Sequence, residues 1–464
     1  MKFPGLLFYR ISRANNKHPN ANQRLSFSFS FLFFLLFLLI ASPAWADSQS
    51  FSLLDAYRLA QHNNSSVSIS MAEVNVRQEQ SIQARAQFFP KLYLRGYGEV
   101  HHQQVNLSGI ALPDDNFSSI GYQAGLAQPL FRRTDMAIYR HAKVESEIAS
   151  VQQQLAEQEL MFNVAEAYFN VLIAQESLAT AKSQTSAITH LFALAKSAYQ
   201  DGDASITDVD EARASYDLAR TQAIMAKSDL EIRKQLLRRY TGRLPVRLSV
   251  FLGAGSIYSL EPEEMFLWER LALDKSLVLE LTKLELRGAD GEVDVAEGGH
   301  YPVIDFVANY SQGDVDGDTT TEAMAGLTLE LPLYNGGGDV AKVREAKANR
   351  MKQKYILRDI TEQVLMDVRQ AYLTVINSRL LVQATKQAFD SSEALLESTH
   401  DGFDKGIRNS LDVLNAQLGV FENQREMVSA DYNFLNAVLR LKMAAGTLAL
   451  ADLQVMDRML VQPR

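Results

Sequence analysis

The sequence predicts a membrane protein of mixed α and β structure, built from a duplicated unit that joins a β-hairpin to a long coiled-coil helical hairpin. Three observations carry that prediction. Blocks of sequence return in the same order about 204 residues later, four segments of about ten residues alternate apolar with polar side chains, and one helical stretch holds an apolar heptad for about four repeats.

The N-terminus comes first. Lys2, Arg10, Arg13, Lys17 and Arg24 precede the apolar run Phe27 to Ile40, and Ala44-Trp45-Ala46 follows as a small-x-small site. At about 14 residues the run is short of the roughly 20 a spanning helix needs, so residues 1–46 read as a cleaved export signal. Removing them leaves 41 basic against 55 acidic residues, a charge of −14 where the whole chain has −9, which argues against a nucleic-acid partner. The chain has no cysteine, which excludes disulfides, cysteine-ligated zinc, a thiol nucleophile and a lipidated N-terminal cysteine. After Asp47 no apolar stretch reaches 18 residues, so an exported chain of this kind is periplasmic, secreted or a β-barrel.

The duplication is legible residue by residue. Val164-Ala165-Glu166-Ala167-Tyr168 returns as Val368-Arg369-Gln370-Ala371-Tyr372, and the same shift carries Gly202 to Gly406, Asp208-Val209 to Asp412-Val413 and Gly242 to Gly446. Gln128-Pro129-Leu130-Phe131 returns as Leu331-Pro332-Leu333-Tyr334, and Phe89-Pro90 as Tyr301-Pro302. The copies are assigned to residues 47–261 and 262–464. Each begins with a helical stretch (Leu53 to Phe88; Glu263 to Glu297), continues through paired strands (about 91–128; about 303–331), and ends in a helical hairpin (about 132–239; about 339–444).

No proline falls between Pro129 and Pro245 or between Pro332 and Pro463, so unbroken long helices are permitted. Arg132 to Ala198 would be about 100 Å long, and the two shorter helices of its copy, placed end to end, match it. The seam Val368, Val375, Val382, Phe389 and Leu396, with Ala371, Ser378, Thr385 and Ser392 interleaved, implies coiled-coil packing.

The alternating segments are Lys91 to Val105, Phe117 to Gln128, Val303 to Ser311 and Glu322 to Leu331, long enough for tilted membrane strands. Polar loops, Ser108 to Asn116 and Gly313 to Thr321, join each pair. Four strands leave two open edges, which a membrane does not tolerate. Two chains would close eight strands and three would close twelve; an eight-stranded interior is filled by side chains, so a passage favours three.

Motifs that carry chemistry are not evident. Counted from Asp314, an EF-hand needs Gly at its sixth position and Glu at its twelfth, where this chain has Thr319 and Ala325, so the acidic run reads as a hairpin turn. Asn335-Gly336-Gly337-Gly338 lacks the Lys-Ser/Thr of a phosphate loop and is followed by Asp339; it reads as a strand-to-helix bend. His101-His102 have no third ligand at sensible spacing. Neither a catalytic group, a metal nor a cofactor is expected.

On these residues the chain resembles the TolC-like outer-membrane efflux and type I secretion proteins over essentially all of the mature sequence. The resemblance rests on Leu53-Leu54-Asp55-Ala56-Tyr57-Arg58-Leu59-Ala60, Gln128-Pro129-Leu130-Phe131, Asn335-Gly336-Gly337, and two turns, Tyr199 to Val209 and Phe403 to Leu414. It implies a homotrimer with a twelve-stranded barrel in outer-membrane lipid and a twelve-helix periplasmic tunnel, serving a periplasmic adaptor and an inner-membrane transporter. It further implies a periplasmic gate at the two tips, with turn glycines Gly202 and Gly406 and polar links carried by Thr207, Asp208 and Arg408. Phe403 departs from the tyrosine common there. Asn415, one helical turn after Asp412, replaces a second aspartate, so the mouth is expected to hold three carboxylates instead of six. Pro129, Pro332, Gly336 and Gly337 mark the strand-to-helix bends. The alternatives are a periplasmic adaptor, opposed by the doubled hairpin, and a porin-like channel without a transporter.

Overall fold

The computed structural model describes residues 51–103, 106–107, 110–111, 115–243, 248–251 and 260–461. The export signal and part of the Ser108 to Asn116 loop lie outside these residues.

The first helical stretch is two helices, α1 (Leu53–Asn63) and α2 (Ser65–Ala86). This corrects the expected single helix Leu53 to Phe88. Asn64 is extended, and its side chain accepts hydrogen bonds from the backbone N–H groups of Ser66 at 2.8 Å and Val67 at 3.3 Å. An asparagine that caps the next helix in this way competes with continuation of the previous one. Strand β1 (Lys91–Gln103), short strands β2 (Asn106–Leu107) and β3 (Ile110–Ala111), and long β4 (Asp115–Arg132) follow. Then come α3 (Arg133–Asp201) and α4 (Ile206–Thr241).

Strand β5 (Val250–Phe251) closes the first half, and the second opens with α5 (Met265–Lys275) and α6 (Leu277–Gly298), broken at extended Ser276 where one helix, Glu263 to Glu297, is expected. Strands β6 (Val303–Val315) and β7 (Asp318–Glu330) lead into α7 (Gly338–Asp404) and α8 (Ser410–Ala444), and α9 (Leu450–Met459) with β8 (Leu460–Val461) end the described chain. The second hairpin loop is far tighter than the expected Gly313 to Thr321. Pairing continues to Val315 opposite Asp318, leaving Asp316 (φ 50°) and Gly317 (φ 94°) as a two-residue turn. Positive φ at both central residues gives the primed turn whose twist matches the strands, and Asp-Gly suits it. The Asp314 carboxylate accepts from Gly317 N–H at 2.8 Å.

The main sheet is antiparallel in the order β1-β4-β6-β7, so β4 pairs with β6 across the two halves and β1 and β7 are its edges. The helices adjoin in a matching order. Nearer the sheet, α2, α3, α6 and α7 lie side by side; farther along, the order is α4, α3, α8 and α7. The two long helices thus run past both shorter ones of their own half, about 100 Å each.

The main core gathers where the shorter helices meet end to end. Tyr168, Phe169 and Leu172 of α3, Trp268 of α5, Val368, Ala371, Val375 and Val382 of α7, and Phe434, Leu435 and Leu439 of α8 are buried together. The upper part of the heptad is therefore a seam against α8, and Ser392 is buried lower on the same row.

Candidate functional site: the two-faced sheet and the helical tips

Register sorts the sheet residues onto two faces. One carries Leu92, Leu94 and Val100 of β1, Ile120, Tyr122, Ala124 and Leu126 of β4, Phe306, Ala308 and Tyr310 of β6, and Ala325, Leu327 and Leu329 of β7. None of these side chains is buried and most are exposed although apolar: Leu94 is 77% exposed, Val100 85% and Leu329 70%. The opposite face carries Tyr93, Arg95, Tyr97 and Glu99, Gln123 and Ser119, Asn309 and Ser311, and Glu322, Thr320 and Thr328. A sheet that is apolar on one face and rich in polar residues on the other is the pattern of a membrane β-wall.

At the helix end of the wall the chain bends. The β4–β6 register shifts between Pro129 and Phe131, where proline offers no N–H to the ladder. Arg132 then grips Asp305 in two bonds, Nε to Oδ1 at 2.9 Å and Nη2 to Oδ2 at 2.6 Å, tying the start of α3 to β6. In the second half Pro332 follows β7, and Gly336 (φ 59°) and Gly337 (φ 84°) turn the chain in the left-handed region into α7. Asp339 stands in the first turn of α7, where a carboxylate favours the helix dipole.

The tips are built alike. In the first, Gly202 has φ 86°, its N–H donates to Tyr199 O at 3.2 Å, and Asp203 N–H reaches Ala198 O at 2.8 Å. In the second, Gly406 has φ 70°, its N–H donates to Phe403 O at 2.9 Å, and Ile407 N–H reaches Gly402 O at 2.8 Å. Each is a Schellman-type ending that uses a left-handed glycine.

The next helix starts are capping boxes. Ser205 N–H donates to Asp208 Oδ2 at 2.8 Å while Asp208 N–H donates to Ser205 Oγ at 3.2 Å. Asn409 N–H donates to Asp412 Oδ2 at 3.2 Å while Asp412 N–H donates to Asn409 Oδ1 at 2.8 Å. Ser205 and Asn409 are capping residues that the motif reading missed, although Ser-x-x-Asp and Asn-x-x-Asp before a helix are sequence signals.

Arg408 sits with Nη1 3.9 Å from Asp412 Oδ2, inside its own tip. Among the described residues no hydrogen bond or ion pair within the chain joins Arg408 to Asp208 or Thr207. Thr207, Asp208, Phe403, Arg408 and Asn415 are exposed and Asp412 half-buried. Behind the tips, Ile188 of α3, Ala219 of α4 and Leu414 of α8 form a small core that fastens one hairpin to the other. Among the described residues no helix is long and apolar enough to cross a membrane, and no cluster of metal-ligating groups occurs.

A two-faced sheet with open edges, continued by capped helical hairpins whose long helices reach about 100 Å, is the architecture of a membrane channel protein. Comparison with known proteins agrees. The "Outer membrane efflux protein" family matches residues 56–243 and 268–447, and the chain belongs to that family. Alkaline protease secretion protein AprF of Pseudomonas aeruginosa is 27% identical over 421 residues, 88% of this chain and 87% of that protein. Outer membrane protein TolC of Escherichia coli is 27% identical over 434 residues, covering 90% and 86%. Among solved structures, the Campylobacter jejuni CmeC outer membrane channel aligns with a TM-score of 0.75 at 16% identity over 96% of this chain and 98% of that one. The Vibrio cholerae protein VceC aligns at 0.72 and 18% identity, covering 85% and 96%. The chain is an outer-membrane exit duct, related to efflux and secretion channels.

Proposed function

We propose that three copies close head to tail into one tube, a twelve-stranded barrel in the outer membrane continued by a twelve-helix tunnel. Cargo enters from an inner-membrane transporter through a periplasmic adaptor. The duct itself needs neither catalysis nor a cofactor, and residues 1–46 are removed on export.

One observation carries this reading: the open edges of sheet and helical layer coincide. On one side stand β1, α2 and α4; on the other, β7 and α7. Both sides carry exposed apolar residues at seven-residue spacing, Leu218, Met225 and Ile232 on α4 and Met366, Leu373 and Leu380 on α7. Two unlike, complementary sides make a heterologous contact, which forms a ring when the rotation closes. Twelve strands leave more room than eight, whose interior side chains fill.

At the inner end the tips would meet as a gate that opens like an iris. Asp208 and Arg408 of neighbouring hairpins are the proposed links, and Asp412 gives a three-carboxylate ring. Because these groups are exposed, each link is weak, which suits a latch.

The absence of native cysteine makes a direct test possible. One cysteine at Leu92 of β1 is combined in turn with one at Leu327, Leu329 or Leu331, and outer membranes are oxidised. The expected product is a ladder that stops at a covalent trimer. A ladder stopping at two chains, or no crosslink across the panel, would overturn closure by three.

A further inference from the structure

The polar face of the sheet carries two notches cut by glycine, each filled by a tyrosine from the neighbouring strand. Register places Tyr93 of β1 opposite Gly125 of β4, and Gly125 opposite Asn309 of β6; four residues farther along, Tyr97 faces Gly121, which faces Gly313. Tyr93 Oη donates to Asn309 Oδ1 at 3.1 Å, so the side chain reaches across the full width of β4. A side chain standing perpendicular to the sheet, the usual posture, cannot make that bond. Glycine permits the flat one. A Cβ at Gly125 would collide with Tyr93 Cζ and lie 2.5 Å from its Oη; at Gly313 it would lie 2.7 Å from Tyr97 Oη, and at Gly121 2.6 Å from that oxygen and equally close to the backbone carbonyl oxygen of Gln312. Glycine in a strand costs stability and side-chain packing, so three at these positions need a reason beyond strand formation.

We propose that the tyrosine–glycine interlocks set the bore of the barrel by folding two rings per chain against its wall. This rests on the reading that three copies close the sheet with its polar face inward. Eight-stranded barrels are filled by their side chains, while barrels of 16–18 strands hold a water channel. A twelve-stranded barrel lies between these limits, where side-chain posture decides the free width. With Gly121, Gly125 and Gly313 in place the rings lie down and leave the passage to cargo. The glycines are therefore the width-determining residues, and the tyrosines act on cargo size only when they are displaced.

The test uses the full chain in whole cells with a single cysteine in place of Thr328, a polar-face residue opposite Asp305 and two rows nearer the helices than Tyr93. Maleimides carrying polymers of graded size are added from outside. Labelling of the parent by small reagents is expected; its absence would overturn inward closure and this inference with it. Gly125→Ala and Gly313→Ala, which lift the rings, should slow the largest reagents about tenfold and leave the smallest unchanged, as expected for a narrowed pore. Adding Tyr93→Ala to Gly125→Ala, or Tyr97→Ala to Gly313→Ala, should restore the parent rate. An unchanged size limit in assembled glycine variants, with the parent labelled, would overturn the inference alone. If those variants fail to assemble, Tyr93→Ala and Tyr97→Ala decide. Flat rings predict an unchanged size limit, whereas a raised limit means that the rings stand in the passage and the inference is wrong.

Discussion

Tyr372 Oη donates to the backbone carbonyl of Glu263 at 2.7 Å, and its counterpart Tyr168 lies 2.9 Å from the carbonyl of Phe51, so each half of the chain pins its first short helix to its long one in the same way. Tyr168 also lies 2.9 Å from Ser249 O and is fully buried, and burial holds its hydroxyl protonated well above the ordinary tyrosine range. Tyr168→Phe removes a fully buried hydroxyl and its hydrogen bonding to the backbone at Phe51 and Ser249, and should cost about 1–3 kcal/mol, against about 0.5–1.5 kcal/mol for the more accessible Tyr372→Phe. Denaturant unfolding of the detergent-solubilised protein measures both. Equal losses would mean that burial of the acceptors does not matter.

The caps set the shape of the tips. Ser205→Ala and Asn409→Ala each remove a side-chain acceptor from a helix start and should cost about 0.5–2 kcal/mol. The loss should appear locally, as faster amide exchange in the first turns of α4 and α8, with the barrel unchanged. Faster exchange spread over the whole tunnel would contradict a local role.

Charge at the tips should control passage. Arg408→Ala and Asp208→Asn are expected to raise single-channel conductance several-fold in planar bilayers, and Asp412→Asn to weaken cation preference. If Asp412→Asn leaves conductance and selectivity alone, the proposed carboxylate ring is absent.

Glu285 of α6 gives a pH dependence. Burial first, and then the neighbouring Glu145, hold its carboxyl above the ordinary value of 4.5. The folded state therefore favours the protonated form. That contribution is fully present below the ordinary glutamate range and is lost as pH rises through the raised value. Glu285→Gln, neutral throughout, should match the parent near about pH 4 and exceed it near about pH 7 in thermal stability. The side chain shares a cavity with His141, Glu145, Glu292 and Lys352, so the comparison belongs at fixed salt. An advantage for the glutamine variant that persists unchanged to acid pH would exclude ionisation as its cause.

The exposed heptads should behave as one contact. Leu373→Lys with Leu380→Lys on α7 is expected to abolish the trimer on native gels while the secondary structure seen by circular dichroism is kept, because a buried unpaired ammonium is costly. A stable trimer carrying both lysines would move the contact elsewhere.

Much of the fold was readable as periodicity. The seam residues Val368, Val375 and Val382 are buried where a heptad places them. The helix breaks at Asn64, whose side chain caps the next helix, and at Ser276, which is extended without a side-chain cap, were not read, because one residue of extended backbone leaves no mark on a hydrophobic pattern. The second hairpin turn was overestimated because Thr319, Thr320 and Thr321 look like loop by polarity, yet all three pair with β6. In a two-faced strand polarity marks the face and says nothing about whether the residue is paired.

Sequence by itself determined the period of each element, and it is also what motivates the proposed closure by partner copies, since four alternating segments cannot close their own edges in a membrane. Tertiary structure alone decided which residues meet: β4 with β6, Arg132 with Asp305, Tyr93 over Gly125. The reason is range. Apolar spacing is local and repeats along the chain, whereas strand register and the posture of a ring depend on residues brought together from about 200 positions away, which no local pattern encodes.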